Sequence, residues 1–508
     1  MASITTIQET DLISTSRTDI NTNFANLNSD KIETSVLDTD TALTANSDAK
    51  IATQKAVKAY VDSGGQQNAS ETVRGLVEEA TDAEVTAGTA TGATGAKLFI
   101  TPAKLATYGV SKSADVQIIT TEATSLGDNT TRFDITNPAG TTIRYTYDGT
   151  GTDPRITALT IPIGSIIQKE SANFTSANAG VFTVTGSGAN YFEVDNVNGV
   201  AENDKTLTYG FLYVSNTTWT KPTGAKAVEV ICIGAGGAGG NGTGASAPTE
   251  RCGGSGGGGG AYARAIFRAS DLATTINCLI GKTTTAVASG PTQKIGGASS
   301  FGGLVKAFGG GCGIDSTSQN SGGSGGGTAG SGIIASTSSI NGGLPNLGTG
   351  IGVSGGGAGA LSSGDGQFAE YGGASGAANQ GTGGSTNYLG GSSLFGGSGG
   401  GTGGGVNAAS PGTSNAGKSG GKYGEYLPGN GGTAGADVGG AGGAGTSRSG
   451  YGCGDGGGGG GGHNSSTGGA GGNGGVPGGG GGGGGGGTST GGTGGNGARG
   501  EIRVITYF

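Results

Sequence analysis

Residues 478–487 of this chain read GGGGGGGGGG, and residues 396–405 read GGSGGGTGGG. Both stretches belong to a region, residues 234–508, that contains 104 of the 122 glycines in the chain, about five times the usual glycine content. Glycine has no side chain with which to fill a core, and it loses the most backbone entropy on ordering. Such a region is either disordered or held together by contacts between backbones.

Two segments rich in β-branched residues bracket the glycine-rich region. They are AVEVICI at residues 227–233 and EIRVITYF at residues 501–508, and both patterns predict β-strands. We expect these strands to pair with each other and to close the region into one unit. Residues 261–268 and 274–280 predict a β-hairpin that turns at Ser270 and Asp271.

The glycine tracts themselves favour extended helices of the polyproline II type, which have three residues per turn and no internal hydrogen bonds. Without Cβ atoms, such helices can approach closely enough for N–H···O=C bonds between neighbours and for weak Cα–H···O contacts. We expect a polyglycine II helix bundle that is anchored by a small β-sheet.

The composition limits the classes of function. Only 32% of the residues are hydrophobic and 12% are charged, which makes large conventional cores improbable. There is no run of about 18 apolar residues and no signal-peptide pattern at the start, so we expect a soluble chain without membrane insertion or export by the usual pathway. Residues 234–508 carry 9 acidic and 11 basic side chains without arginine repeats, which argues against nucleic acid as a partner.

No metal or cofactor is expected. The five cysteines show no C-x-x-C spacing, and we expect reduced thiols that serve as small apolar residues. Residues 234–239 match G-x-G-x-x-G after a strand, but residues 241–248 (NGTGASAP) are unsuited to the helix that a dinucleotide site requires.

The first half of the chain combines short helices with β structure. Ile13, Ile20, Phe24 and Leu27 have the spacing of a coiled-coil seam and are the predicted trimerisation residues. A second helix is predicted over residues 48–62, a short strand or turn over 69–80 and a helical turn over 81–87, and Thr101 is a predicted N-cap. Strands predicted at 143–147, 156–161, 181–184, 191–194 and 207–214 favour a β-sandwich or small barrel, with a spacer or trimer-stabilising role.

Several of these segments resemble a known family. DAKIATQKAVKAYVDSG (48–64) and SETVRGLVEEATDAEVTAGTATGATGAKLFITPAKLATY (70–108) resemble shaft modules of tailed-bacteriophage tail fibre proteins. TTWTKPTGAKAVEVICIGAGGAGG (217–240), GGGGGAYARAIFRASDL (256–272), GGASSFGGLVKAFGGG (296–311) and GARGEIRVITYF (497–508) resemble the glycine-rich receptor-binding domain of such fibres.

This resemblance implies an elongated homotrimer that is mainly β and irregular. It implies a virion-attachment and coiled-coil segment (1–45), shaft modules (46–112), a β-rich spacer domain (113–216) and a receptor-binding domain (217–508). The N-terminus would bind a virion tail or baseplate protein, and the glycine-rich end would bind a bacterial surface receptor, either an outer-membrane protein or a surface glycan. Such a protein is assembled in the host cytoplasm and is part of the virion.

Large side chains interrupt the glycine tract and are the candidate receptor contacts. A packed glycine helix has no interior room for them, so we expect them in loops or on outer faces, where exposed aromatic residues favour recognition. The loops are 361–371, 384–395, 422–428 and 451–467, and the residues are Phe368, Tyr371, Tyr388, Leu394, Phe395, Tyr423, Tyr426, Tyr451 and His463. A thin cover over the flanks of the bundle is the alternative for the aromatic residues, and a solvated loop position is the alternative for His463.

Catalytic residues are not expected. His463 is the single histidine of the chain, and the carboxylates of the glycine-rich region are scattered singly, whereas a glycosidase needs two carboxylates at a fixed separation. Two other functions stay open beside the adhesin: a structural or ice-binding glycine-rich protein, and an enzymatic tailspike.

Overall fold

The structure is a computed structural model, and contacts divide the chain into two compact units, Met1–Lys112 and Ser113–Phe508. It describes residues 13–29, 37–39, 51–62, 77–87, 91, 97–102, 114–122, 124–126, 132–147, 161, 163–169, 175, 177–178, 180–206, 212–215, 217–286, 295–315, 320–336, 340, 342–343, 356–359, 364–374, 388–409 and 412–508. The described part is mainly β with few helices. It contains no helix that is both long and apolar enough to cross a membrane.

The described residues of the first unit form three helices and two pairs of short parallel strands. Its elements are α1 (Ile13–Ser29), β1 (Leu37–Asp38), β2 (Ile51–Ala52), α2 (Gln54–Asp62), β3 (Val77–Glu79), α3 (Asp82–Ala87) and β4 (Lys97–Phe99). Strand β1 pairs with β2, and β3 pairs with β4.

The helix predicted over residues 48–62 begins later, at Gln54. Residues 51–52 pair with β1 instead, and the Thr53 hydroxyl caps the helix by accepting a hydrogen bond from the Ala56 N–H at 3.1 Å. The helical turn predicted at 81–87 is confirmed as α3. It begins with a capping box in which the Glu84 carboxylate accepts from the Thr81 N–H at 2.8 Å, and the Thr81 hydroxyl accepts from the Glu84 N–H at 3.3 Å.

The second unit begins with β5 (Ala114–Ile119), followed by an eight-stranded sheet. The sheet order is β12-β7-β8-β11-β10-β9-β13-β6. The bounds are β6 (Thr124–Leu126), β7 (Arg132–Ala139), β8 (Thr142–Tyr147), β9 (Ile166–Lys169), β10 (Gly180–Gly188), β11 (Tyr191–Asp195), β12 (Glu202–Thr206) and β13 (Leu212–Val214).

Hydrogen bonds join these eight strands into one sheet, whereas the sequence favoured a sandwich or small barrel. Strand β10 pairs with β9 over residues 180–183 and with β11 over residues 184–188, and a register irregularity between Val184 and Gly186 lies next to the change of partner. A strand that changes partner at a bulge forms a corner, so the halves of the sheet enclose one core, which includes Ile143, Tyr145, Ile167 and Phe192. The predicted strands at 143–147, 181–184 and 191–194 are confirmed, the one at 207–214 is described only at 212–214, and residues 156–160 lie outside the described residues.

Two four-stranded sheets anchor the glycine-rich region. Their orders are β14-β17-β18-β19 and β16-β15-β20-β5. The bounds are β14 (Thr217–Thr220), β15 (Ala227–Ile233), β16 (Tyr262–Arg268), β17 (Thr275–Leu279), β18 (Ser299–Phe301), β19 (Val305–Ala307) and β20 (Glu501–Tyr507). The predicted pairing of the two bracketing strands is confirmed, because β15 and β20 pair antiparallel over seven residues each.

The predicted hairpin between residues 261–268 and 274–280 is wrong. Strand β16 pairs with β15, and β17 pairs with β14 and β18 in the other sheet. A 3-10 turn at Ala269–Asp271 carries the chain across from one sheet to the other. The reason is the shared core: buried residues of β17, such as Ile276 and Cys278, pack against the other sheet's Val230 and Val504 in one cluster. A hairpin within one sheet could not cover that core from both sides.

The five cysteines are free and buried, which confirms the prediction of reduced thiols used as small apolar residues. Cys232 and Cys278 belong to the core between the two sheets. Burial raises the pKa of both Cys278 and Cys453 to about 12, so these thiols stay protonated at neutral pH.

The glycine tracts form extended segments that are hydrogen-bonded to one another with a period of three. Segment 478–487 lies among the others, and its N–H groups donate to three neighbours in rotation, at 2.8–2.9 Å. Gly480, Gly483 and Gly486 donate to residues 398, 401 and 404; Gly481, Gly484 and Gly487 donate to 237, 240 and 243; Gly482 and Gly485 donate to 472 and 469.

The carbonyl groups of the same segment accept from three further segments at 2.7–2.9 Å. The donors are residues 254, 257 and 260; residues 457, 460 and 463; and residues 492, 495 and 498. Segment 478–487 therefore has six hydrogen-bonded neighbours, with three receiving its N–H groups and three donating to its carbonyls.

This spacing is possible only without side chains. A Cβ on Gly482 would lie 2.1 Å from the Gly458 carbonyl oxygen, and a Cβ on Gly483 would lie 1.9 Å from the Gly254 carbonyl oxygen. Both distances are far inside van der Waals contact, and both obstacles are backbone atoms that cannot rotate away.

We expect Gly482→Ala to lower the free energy of unfolding by about 1–3 kcal/mol or more, because the methyl group forces hydrogen-bonded backbones apart. Chemical unfolding of the purified chain measures this value. Ala470→Ser is the control, because Ala470 is exposed in the neighbouring segment, and its effect should stay within about 0.5 kcal/mol. Equal effects of the two substitutions would contradict the proposed reason for glycine at position 482.

Candidate functional site

The bundle of glycine segments has two distinct ends. At the sheet end, Gly234 follows β15, Ala261 precedes β16 and Gly500 precedes β20. At the turn end, segments reverse direction at residues 244–251, 437–439, 463–467 and 488–490, and the antiparallel bridge between Val406 and Ser414 indicates a further reversal between these two residues. Hydrogen bonds between neighbouring segments show that these reversals lie side by side at the same end of the bundle. The bonds are those from Thr243 N–H to Cys252 O, Gly487 N–H to Thr243 O, His463 N–H to Gly486 O, and Gly439 N–H to Gly462 O.

Most of the predicted contact residues lie at the sheet end, where four of them form two ring pairs. The ring of Tyr371 stacks on that of Phe395, with centroids 4.7 Å apart, and Phe395 lies 6.1 Å from the ring of Tyr262 on β16. The Tyr262 N–H donates to the Tyr371 carbonyl at 2.9 Å. Phe368 and Tyr426 meet edge to face with centroids 5.9 Å apart. Tyr371 and Phe395 therefore pack beside β16, and Phe368 and Tyr426 form a second pair.

Buried ion pairs fix the loops that carry two further aromatic residues, Tyr423 and Tyr451. Arg448 forms a bidentate pair with Asp455, at 2.8 and 3.2 Å, and its guanidinium lies 5.0 Å from the Tyr423 ring centroid. Asp455 also accepts from the Tyr423 N–H at 2.8 Å. Burial is the main cause that raises the pKa of the Tyr423 hydroxyl.

A second buried pair joins these loops to the last strand. Arg503 of β20 donates to Glu501 at 2.7 Å and to the Gly452 carbonyl at 2.7 Å, and Arg499 contacts Glu501 at 3.3 Å. Tyr451, which immediately precedes Gly452, is 68% exposed. The exposed ring of Tyr451 therefore stands on a loop whose neighbouring backbone is bound to β20.

The outer face of the same sheet carries another paired acid. Burial by itself raises the pKa of Glu229, but hydrogen bonds from Arg264 at 2.5 Å and from the Tyr507 hydroxyl at 2.8 Å outweigh it, so the pKa is lowered. The carboxylate is thus held ionised and serves to link β15, β16 and β20.

The other predicted residues lie elsewhere. Leu394 is half-buried and donates its N–H to the Ala369 carbonyl at 3.1 Å. Tyr388 is half-buried along the side of the bundle, where its N–H donates to the Thr402 hydroxyl at 2.9 Å. His463 is at the turn end, and its Nδ1 accepts from the Ser465 N–H at 3.2 Å. The structure therefore does not unite the nine candidates in one site.

The sequence did not single out the polar residues of the turn end, although Asn464 and Thr467 lie in the predicted contact loop 451–467. The Thr467 hydroxyl lies 3.0 Å from that of Thr490 and 3.1 Å from that of Ser489, and these side chains are exposed. Asn464 donates to the Gly412 carbonyl at 2.9 Å, and Arg251 donates to the Asn407 carbonyl at 2.7 Å. The sequence feature that could have identified them is the short cluster of Ser, Thr and Asn residues at the point where each glycine run ends.

The G-x-G-x-x-G motif at residues 234–239 belongs to the bundle. Gly234, Gly237 and Gly240 donate their N–H groups to the carbonyls of residues 261, 258 and 255, and the fully described stretch 240–250 contains no helix. The helix N-terminus that would hold a pyrophosphate is thus missing from this stretch.

Comparison with protein families supports the glycine-rich domain. Residues 213–437 match the family model described as a glycine-rich domain. The matched region starts within the last strands before the bundle and covers much of its length. No curated protein matches the chain.

Asp455→Ala should lower the free energy of unfolding by about 3–5 kcal/mol, because it leaves the buried Arg448 guanidinium without its carboxylate. Urea unfolding measures the change. Glu425→Ala is the matched control in loop 422–428, whose Tyr423 N–H donates to Asp455. Glu425 pairs with Lys422 at 2.6 Å, but both side chains are about one-third or more exposed, and such a pair is worth about 0–1 kcal/mol. A loss for Asp455→Ala no larger than for the control would mean that the buried pair does not fix the sheet-end loops.

Proposed function

We propose that this chain is a tail fibre adhesin of a tailed bacteriophage, which assembles as a homotrimer and binds a receptor on the host bacterial surface through its glycine-rich domain. The resemblance of residues 48–108 to fibre shaft modules and the family match at residues 213–437 support this proposal. The receptor is an outer-membrane protein or a surface glycan.

We propose further that the glycine segments are polyglycine II helices. Two observations favour this geometry: hydrogen bonds along segment 478–487 repeat every third residue, and six segments surround it. A helix with three residues per turn directs successive N–H groups toward three directions, about 120° apart. At a rise of about 3.1 Å per residue, segment 478–487 would be roughly 28 Å long.

The observation that carries the adhesin proposal is the position of the turn end. The second unit begins with β5, which pairs with β20 in the sheet, and the glycine segments extend from that sheet to the opposite end. The turn end carries exposed hydroxyl and amide groups on segments that are bonded on several sides. Rigid supports that present polar turns can bind with little loss of conformational entropy, and we propose this end as the receptor contact.

The first unit supports the trimer. Ile13, Ile20, Phe24 and Leu27 of α1 are exposed within the single chain, Phe24 by 67%. Large apolar side chains of the other elements of this unit are exposed as well, among them Ile51, Val57, Val61, Val77 and Phe99. Packing of three copies along the α1 seam would bury the stripe, and three linked domains would add avidity to a weak single contact.

The trimer predicts a mass of three times the 48.1 kDa chain by light scattering. Phe24→Glu combined with Leu27→Glu should reduce the trimer fraction, because charges at both seam positions oppose helix association. Ala25→Glu is the control, since Ala25 lies between the two seam residues on another face of α1. A monomeric wild-type chain would contradict the trimer, and equal dissociation by the control would show that the seam is not the interface.

The adhesin role predicts that virions whose fibres lack residues 234–508 assemble but do not adsorb to host cells. Within the domain, the combined substitution of His463 and Asn464 by alanine at the turn end should reduce adsorption. Tyr426→Ala combined with Tyr451→Ala at the exposed sheet end is the matched control and should leave adsorption unchanged. Loss of adsorption in the control alone would show that the receptor contact lies at the sheet end. Normal adsorption without residues 234–508 would refute the proposed function.

A further inference from the structure

Arg251 at the turn end is a buried cation without a counter-ion among the described residues. Its side chain is 0% exposed. Its backbone is fixed by two hydrogen bonds with Val406, at 3.1 Å from the Arg251 N–H and 2.8 Å from the Val406 N–H. One guanidinium nitrogen, Nη2, donates to the Asn407 carbonyl at 2.7 Å, whereas Nε and Nη1 have no hydrogen-bond partner there.

A second unpaired donor belongs to the same row of residues. The Oγ of Ser414 is buried and has no hydrogen-bond partner in the described part of the chain. Val406 is bridged antiparallel to Arg251 on one side and to Ser414 on the other. Residues directly opposite one another across antiparallel strands point to the same face. The guanidinium and the hydroxyl therefore lie on one face of this three-strand row.

Described residues of the turn between Val406 and Ser414 lie next to the guanidinium. A Cβ on Gly412 would lie 2.6 Å from Arg251 Nη2 and 2.9 Å from Val406 Cγ1. The Oδ1 of Asn407 accepts from the Ala409 N–H at 3.2 Å and from the Thr413 N–H at 2.8 Å. Because Gly412 has no side chain, only its backbone lies against Arg251 Nη2 at this position.

The other arginines of the bundle show what a structural role requires. Arg503 is also buried and the side chain of Arg448 is only 12% exposed, and each is paired with a carboxylate, Glu501 and Asp455 respectively. A buried guanidinium without such a partner opposes folding, because its charge is taken out of water without compensation. The difference between Arg251 and the paired arginines indicates a partner that comes from outside the chain.

We propose that Arg251 and Ser414 bind an oxyanion, a carboxylate or phosphate group, carried by the surface ligand of this domain. Guanidinium N–H groups form charge-assisted hydrogen bonds with such oxygens, and a hydroxyl adds one more donor. The ligand reaches the guanidinium past Gly412. The identity of the ligand as part of the bacterial receptor rests on the proposed function, whereas the anion site itself does not.

The test measures binding to the full chain by titration calorimetry and records its thermal unfolding. The three probes are inorganic phosphate, glucuronate and uncharged glucose. Phosphate or glucuronate should bind and raise the unfolding temperature, and glucose should do neither. The anion that binds more tightly shows whether the site prefers a phosphate group or the carboxylate of a sugar acid. Absence of binding by both anions at millimolar concentration would overturn the proposal.

Arg251→Met should weaken anion binding by roughly tenfold to a hundredfold, the usual value of a hydrogen bond to a charged group. Without ligand, this variant should be no less stable than the wild type, because it removes an uncompensated buried charge. A purely structural Arg251 would give the opposite result, a loss of stability or of folding. Arg268→Met, which removes an exposed arginine of β16 at the sheet end, is the control and should bind anions normally.

Ser414→Ala tests the site without touching the charge. It should weaken binding by several-fold and leave the unfolding temperature of the free chain unchanged, and unchanged affinity would contradict the assignment of Ser414. Adsorption separates this proposal from the proposed function: normal adsorption by Arg251→Met virions, with anion binding lost, would show an anion site that is not the receptor contact. Normal adsorption without residues 234–508 would refute the adhesin role and leave the anion measurements standing.

Discussion

Contact between backbones without intervening Cβ atoms is the constraint on which the glycine-rich half depends. A buried N–H group must find an acceptor, and an isolated extended segment offers none within itself. Segment 478–487 solves this by giving its N–H groups to three neighbours and its carbonyls to three others. Many of these partners are distant in sequence, such as residues 237–243 and 254–260. The entropy lost by ordering so many glycines is offset by a dense set of hydrogen bonds in place of an apolar core.

This arrangement separates support from recognition. The sheets and buried ion pairs hold one end of the bundle, where Arg503 and Arg448 tie the loops around Tyr423 and Tyr451 to β20. The opposite end consists of short turns, which contribute little to the hydrogen-bond network between the segments. A turn there can present hydroxyl, amide or guanidinium groups without affecting the backbone packing behind it. The contrast between paired Arg448 and unpaired Arg251 follows the same division.

The elements that sequence predicts well are those defined by local pattern. The β-branched residues of β15 and β20 identify two strands with a clear reason to pair, and the Thr81 and Glu84 positions identify the start of α3. The pairing of β16 could not be derived in this way, because an apolar alternation does not say which of two facing sheets a strand joins. The β16–β17 hairpin failed for that reason, and helix α2 began at Gln54 because residues 51–52 pair with the preceding strand β1.

The candidate site was harder to predict than the fold. Interruptions of the glycine tract are visible in the sequence, but the end at which each one lies depends on the direction of every preceding segment. Phe395 and His463 are interruptions of the same kind, yet one packs beside β16 and the other lies at the turns. Arg251 had no distinguishing neighbours in the sequence. Its importance follows only from its burial and from the missing partners of its nitrogens.

The six-neighbour segment also has a consequence for the synthesis of the protein. Residues 478–487 and strand β20 leave the ribosome long after their partners, because the first bond to the segment that begins at residue 237 and the second pairs with β15. Contacts between residues so far apart in sequence are slow to form, because the long intervening chain must be ordered first. The glycine-rich domain must therefore wait as an open chain until β20 has been synthesised. Its low content of apolar side chains keeps that waiting chain from aggregating.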